Sequence, residues 1–191
     1  MILENEQLKA SRYLTRFAQM IRITLNQSKE VFTTLYENLE HLESYLVMEK
    51  LRFDDSFTYR VIVDEWIDKE ETLIPTLMIQ PLVENAIWHG LMHNEGQKKI
   101  LIHFSRYKET ISCIIEDNGI GINRSEELKK LHRPSHNSVG LNNLRNRIQI
   151  MNEKYDIHCS LVITDLSERN VESSGTRAVL KFKVITNKLY L

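Results

Sequence analysis

The sequence predicts an α+β fold, a two-layer α/β sandwich in which helices cover one face of a sheet. Apolar residues recur at helical spacing up to the polar break Asp54-Asp55-Ser56, and at Phe57 the period drops to two. Beyond that point, paired period-two runs alternate with amphipathic stretches, as antiparallel hairpins interleaved with helices would.

Residues 1–28 read as one amphipathic helix, with Leu14, Phe17, Ala18, Ile21 and Leu25 on a single stripe. A second helix begins at Thr34, where Glu37 three residues later completes a capping-box pattern, and its stripe is Leu35, Leu39, Leu42 and Leu46. Two such stripes are buried either against the following domain or against a second copy, as a dimerisation hairpin. Phe57, Tyr59, Val61 and Val63 then alternate with Thr58, Arg60 and Ile62 as a strand. Pro75 is read as opening a helix that runs through Leu82, Val83, Ala86 and Ile87, with a break or restart at Pro81, which has no N–H to donate. Strands over 99–107 and 110–116 turn at Lys108-Glu109. A short helix over 124–131, a polar loop over 132–139 and a helix over 141–154 follow, the last striped by Leu141, Leu144, Ile148 and Met151. Strands over 158–164 and 176–185 close the chain.

Composition narrows the function. Among 191 residues, 25 are Lys or Arg and 26 are Asp or Glu, a formal charge of −1. That balance excludes a nucleic-acid binder working by phosphate neutralisation alone. Cys113 and Cys159 are too few for a disulfide framework or a zinc cluster, and each sits in an apolar run, so both read as reduced, packed thiols. No window approaches the ~18 uninterrupted apolar residues of a bilayer span. The first residues lack a signal peptide's basic region and apolar core. The sequence as given therefore reads as soluble, either as a whole protein or as the soluble part of something longer.

Three segments carry candidate chemistry. In Ile79-Gln80-Pro81-Leu82-Val83-Glu84-Asn85-Ala86-Ile87-Trp88-His89-Gly90, an Asn amid apolar helical residues is costly unless its amide is used. Asn85 is either a core amide satisfied by backbone or an oxygen ligand for a hard cation such as Mg²⁺. In Ile114-Ile115-Glu116-Asp117-Asn118-Gly119-Ile120-Gly121-Ile122, a strand ends in a carboxylate followed by two spaced glycines. This is either a plain turn, or an acceptor for an exocyclic amine beside backbone that can approach a planar base. In His136-Asn137-Ser138-Val139-Gly140-Leu141-Asn142-Asn143-Leu144-Arg145-Asn146-Arg147, a glycine precedes an amphipathic helix, whose free N–H groups suit either solvent or phosphate. His89 and His93, four apart, have no third ligand in sequence reach, which speaks against a zinc pair.

In this order, Glu-Asn-Ala, Asp-x-Gly-x-Gly and Gly-Leu-x-Asn-Leu-x-x-Arg resemble the N, G1 and G2 boxes of the histidine-kinase/gyrase/Hsp90/MutL-type ATP-binding fold. The longer run from Ile74-Pro75 to His89-Gly90, and the helix ending Tyr45-Leu46-Val47-Met48-Glu49-Lys50-Leu51-Arg52-Phe53, are similar to LytS/YesM-type bacterial sensor histidine kinases. The resemblance implies a Bergerat-type mixed sheet under helices at 55–191, preceded by a helical segment at 1–54 from the dimerisation and phosphoacceptor region.

It implies that Asn85 binds Mg²⁺, that Asp117 reads the adenine amine, and that Gly119 and Gly121 turn over the base. Ser138, Gly140 and Leu141 would form the phosphate-side turn, Thr176 would follow Gly175 at the last strand, His89 would line the nucleotide, and 122–139 would be a lid. ATP and Mg²⁺ are the implied cofactors and a response regulator the implied partner. The same resemblance implies a homodimer in the full-length protein, with membrane attachment only through segments outside this chain.

Four departures stand out. Ser138 replaces a usual glycine, and Trp88 stands where a phosphate-facing basic residue is common. Pro81 takes the place of the water-activating Glu found in the ATPase branches. None of His41, His89, His93, His103, His132, His136 and His158 lies in the family's Asn-Pro-His-Phe acceptor context, which places the phosphoacceptor upstream. The first two departures also fit a second reading, a nucleotide-binding regulatory or dimerisation module with weak catalysis.

Overall fold

The computed structural model describes residues 2–27, 29–132, 139–168 and 174–186. It begins with α1 (Ile2–Gln27), β1 (Phe32–Thr34), α2 (Leu35–Arg52), β2 (Phe57–Val63) and β3 (Thr72–Pro75). Next comes α3 (Gln80–Asn85), which widens into a π-helical turn at Ala86–Gly90 and tightens into a 3-10 turn at Leu91–His93. Then follow β4 (Lys98–Tyr107), β5 (Thr110–Asp117), α4 (Ile122–His132), α5 (Val139–Tyr155), β6 (Ser160–Asp165), β7 (Thr176–Lys183) and β8 (Ile185–Thr186).

The main sheet has the order β2-β4-β5-β7-β6, with β2 parallel to β4 and every other pair antiparallel, so it is mixed as expected. Period-two alternation gives it one dry face: Ile100, Ile102 and Phe104 of β4, Ile111, Cys113 and Ile115 of β5, and Ala178, Leu180 and Phe182 of β7 are all buried. The helices lie on that face, where Leu82, Val83, Ile87, Leu141, Leu144 and Met151 join the same core. The other face carries cross-strand polar pairs, such as Arg177 Nε to Glu116 Oε2 at 2.6 Å. Cys113 and Cys159 are unpaired buried thiols, and burial raises both, Cys159 to about 12.

A second sheet, β1-β3-β8, was not legible in the sequence. Pro75 does not open a helix; it ends β3, whose four residues are all buried. The helix starts at Gln80, so Pro81 sits in its first turn, where a missing N–H costs nothing. The last strand is split at Val184: β7 stays in the main sheet and β8 pairs with β3.

The second helix begins as the sequence indicates. Thr34 Oγ1 accepts from the Glu37 N–H at 3.1 Å while Glu37 Oε2 accepts from the Thr34 N–H at 2.9 Å, a reciprocal capping box. Its stripe is spent inside this chain, with Leu35, Leu42, Tyr45, Leu46 and Met48 buried. The first helix behaves otherwise. Tyr13, Met20 and Thr24 turn inward, with Thr24 Oγ1 2.9 Å from His41 Nε2, while Leu14 (63% exposed), Phe17, Ile21 and Leu25 (61% exposed) face outward.

Candidate functional site

At the C-terminal end of β5 and the N-terminal end of β7, the sheet, α3, α4 and α5 surround about 570 Å³ of empty space, part of it open to solvent. Strand pairing places Asp117 opposite Thr176 and Thr176 opposite Asp165, so three polar residues end three neighbouring strands in one row. Asn85, His89, Asp117, Gly121, Leu141 and Thr176 all line the cavity, and the rest of its wall is mainly apolar, including Leu82, Ile115, Ile163 and Ala178.

Asp117 is buried (4% exposed), and its Oδ1 accepts the Gly119 N–H at 2.8 Å. Burial pushes the carboxyl up to about 7. Hydrogen bonds from the backbone of Gly119 and Thr176 oppose the shift, while the charges of Glu116 and Asp165 add to it. The carboxylate stands against Gly90: a Cβ there would lie 2.6 Å from Asp117 Oδ1. Gly119 meets the same helix end so closely that a Cβ would fall 2.2 Å from the Gly90 carbonyl carbon. The Gly90 carbonyl also accepts the Ile120 N–H at 3.2 Å. Gly119 therefore seats the turn on the helix end and lies just behind the cavity wall.

On α3, positions four apart share a face, and the two faces differ in task. Asn85 and His89 face the cavity. Asn85 Nδ2 donates to the Pro81 carbonyl at 2.6 Å, which fixes the amide and leaves Oδ1 as the end that bond does not use. Glu84 and Trp88 face α2 instead. Glu84 accepts from Gln80 Nε2 at 2.7 Å, Trp88 meets Phe53 edge-on at 5.1 Å, and the Arg52 guanidinium lies 4.4 Å from the Trp88 ring centroid. Trp88 thus packs on α2 and its end and is not on the cavity wall.

Gly140 lies in the first turn of α5, exposed, with open space where a Cβ would be, and is not on the cavity wall; its neighbour Leu141 is. Ser138 and most of the 132–139 loop lie outside the described residues. Ile122, Ser125 and Glu126 of α4, which fall in the 122–139 segment that the resemblance implies as a lid, line the cavity, although none was given a role of its own in the sequence. Gly90 was given no role in the sequence beyond ending the run that is similar to the sensor kinases.

A family model described as histidine kinase-, DNA gyrase B- and HSP90-like ATPase matches residues 71–186, and one described as histidine kinase matches residues 1–57. The chain belongs to the histidine kinase-, DNA gyrase B- and HSP90-like ATPase family. Sensor protein LytS of Oceanobacillus iheyensis is 31% identical over 78% of this chain and 26% of its own length. Sensor protein kinase HptS of Staphylococcus aureus is 30% identical over 85% of this chain and 30% of its own. YwpD of Bacillus subtilis is 32% identical over 74% of this chain and 50% of its own. The chain thus spans about a quarter to a half of the curated relatives it matches.

Among solved structures, the histidine kinase domain of an Erythrobacter litoralis blue-light activated kinase superposes with TM-score 0.53 at 15% identity, covering 95% of this chain and 85% of that one. The nucleotide-free catalytic domain of histidine kinase ThkA gives 0.51 at 15% identity, covering 80% and 94%. These likenesses establish the fold of this family member: an α+β sandwich of the ATP-binding type.

Proposed function

We propose that this chain is the ATP-binding kinase portion of a bacterial two-component sensor, the helical segment being 1–54 and the catalytic unit 55–191. It binds ATP in the cavity and transfers the γ-phosphoryl to a histidine upstream of this chain, for relay to a response regulator. The carrying observation is the buried carboxylate of Asp117 on the wall of a mainly apolar cavity. A planar base enters there edge-on, with its amine donating to Asp117, while the Gly119–Gly90 contact seats the turn that carries this carboxylate.

The donor set fits Mg²⁺. Asn85 presents a neutral amide oxygen at the cavity, and its amide nitrogen is already committed to Pro81. A bound Mg²⁺ neutralises phosphate charge; the residues here position the nucleotide, and positioning with charge neutralisation is most of phosphoryl-transfer catalysis. In the transfer, the bond from the γ-phosphorus to the bridging oxygen of ADP breaks as one forms to an imidazole nitrogen. Glu84, the only carboxylate on α3, faces α2 rather than the cavity, and Pro81 stands one turn before Asn85. The α3 helix therefore brings no carboxylate base to the site, which supports transfer to protein over hydrolysis. The exposed stripe of α1 supports a homodimer, and the sensor relatives support a cytoplasmic portion of a membrane-bound protein; in the described residues no helix is long and apolar enough to cross a membrane.

Titration with ATP, with and without Mg²⁺, tests the reading. Asn85→Ala is expected to weaken Mg²⁺-dependent binding more than metal-free binding. Equal losses would make Asn85 a structural amide, and absence of ATP binding by the wild type would end the proposal.

A further inference from the structure

The wall that α4 contributes to the cavity is held by a residue from a distant strand. Asp165, the last residue of β6, is 4% exposed, and its carboxylate is saturated with donors. Oδ2 accepts the Asn123 N–H at 3.0 Å, Oδ1 accepts the Ser167 N–H at 2.9 Å and the Ser167 hydroxyl, and the Ile122 N–H adds to the set.

Ile122 and Asn123 form the first turn of α4, where N–H groups have no partner within the helix. The residue before them is Gly121, which has no side chain to cap with. Asp165 supplies the cap from 42 residues away in sequence, and with it a negative charge at the helix N-terminus. The same carboxylate explains why Gly121 is glycine. Its φ is +81°, and a Cβ would lie 2.6 Å from Asp165 Oδ2.

We propose that Asp165 is a positioning residue of the nucleotide site: it pins the Gly121 turn and the first turn of α4 so that Ile122, Ser125 and Glu126 stand on the cavity wall. This rests on the cavity being an ATP site. Asp165 also sets the electrical environment of Asp117, from which it is separated by Thr176 across β7. Burial works against the ionisation of Asp165, but its hydrogen bonds from Ser167, Asn123 and Ile122 outweigh that and keep its carboxyl below the ordinary range. It therefore stays charged while Asp117 titrates. The other ionisable groups near Asp117 are Glu116 on its own strand, with Arg177 paired to it from β7, and His89 and Glu126 on the cavity wall.

The test measures ATP affinity of the whole chain by calorimetry from pH 6 to 8, for wild type, Asp165→Asn and Ser167→Ala. Asp165→Asn keeps the shape but turns an amide donor toward donor N–H groups. It is expected to weaken ATP about tenfold, as loss of a good helix cap would. It should also lower the midpoint of the pH dependence, because a negative charge facing Asp117 is gone. Ser167→Ala, which spares the α4 cap, should stay within about threefold of wild type.

An Asp165→Asn protein with wild-type affinity and midpoint overturns the inference and leaves the ATP reading intact. An equal loss at every pH, with no midpoint shift, reduces Asp165 to a structural role and also overturns it. A wild type that binds no ATP overturns both. If Asp165→Asn fails to fold, amide hydrogen exchange of the wild type decides: slow exchange at Ile122 and Asn123, relative to Arg124, is expected, and fast exchange there refutes the cap.

Discussion

At the scale of single residues, the site turns on one titration. Ordinary aspartate ionises near 3.8, and Asp117 in the fold does so at about 7. Between those values the folded protein holds a proton that the unfolded chain has released. The stability of the nucleotide-free protein should therefore fall as pH rises from about 4 to about 7, then level off. Binding has the opposite slope, since an adenine amine needs the ionised carboxylate as acceptor. ATP affinity should rise about tenfold per pH unit up to about 7 and then flatten, with proton release measurable by calorimetry in buffers of different ionisation enthalpy. A flat profile from pH 5.5 to 8 would remove Asp117 from base recognition. Asp117→Ala should weaken ATP by roughly 1–3 kcal/mol or more, the cost of an unsatisfied polar partner. Gly119→Ala pushes a methyl into Gly90 backbone and should lower stability by roughly 1–3 kcal/mol in thermal unfolding. Asp117 was legible in the sequence because an apolar alternation ends in it before Asn-Gly. Asp165 was not: Thr-Asp-Leu-Ser reads as any turn, and its partners at Ile122 and Asn123 become neighbours only through the β6–β7 pairing.

At the scale of elements, α2 and α3 meet through a polar junction in which Glu49 and Tyr45 are buried and Arg52 reaches solvent. Glu49 is 2% exposed, and its Oε2 has no hydrogen-bond partner among the described residues. Arg52 approaches the other oxygen only to 4.0 Å. Burial raises the Glu49 carboxyl, Arg52 partly offsets this, and the nearby charge of Glu84 raises it further; burial raises Glu84 as well. Tyr45, hydrogen-bonded to Trp88, completes the contact. A raised acid is a group whose ionisation the fold resists, so Glu49 costs stability progressively as pH rises above its ordinary range. Glu49→Gln should therefore be nearly neutral in melting temperature near pH 5 and stabilising near pH 8. A difference that stays constant with pH would show that Glu49 is charged and satisfied throughout. The sequence reveals α2 and its cap well, because Thr34 and Glu37 act locally. It misleads over Pro75 because a proline suits both a helix start and the end of a short strand, and only tertiary pairing with β1 decides. The helical spacing of Glu84, Asn85, Trp88 and His89 was visible, whereas which pair faces the cavity depends on where α2 packs.

At the scale of the whole molecule, the first helix leaves its most apolar face uncovered. The periodicity identifies the helix, but periodicity alone does not say whether a stripe is covered by its own chain or by another. Leu14, Phe17, Ile21 and Leu25 repeat every three to four residues along one side, the spacing of a coiled-coil seam. Full burial of a Leu, Ile or Phe side chain is worth about 1.5–3 kcal/mol. These four are about half exposed, so burying them in each of two copies gains roughly half of that per side chain, comparable with the association cost of about 4–15 kcal/mol. The chain should accordingly sediment as a dimer at tens of micromolar, and the double substitution Phe17→Lys with Ile21→Lys should convert it to a monomer. Because neither residue approaches the cavity, ATP affinity should remain within about twofold of wild type. If the wild type is monomeric under these conditions, α1 is not a dimer seam. If the double variant loses ATP binding along with the dimer, the nucleotide site is not self-contained in one copy.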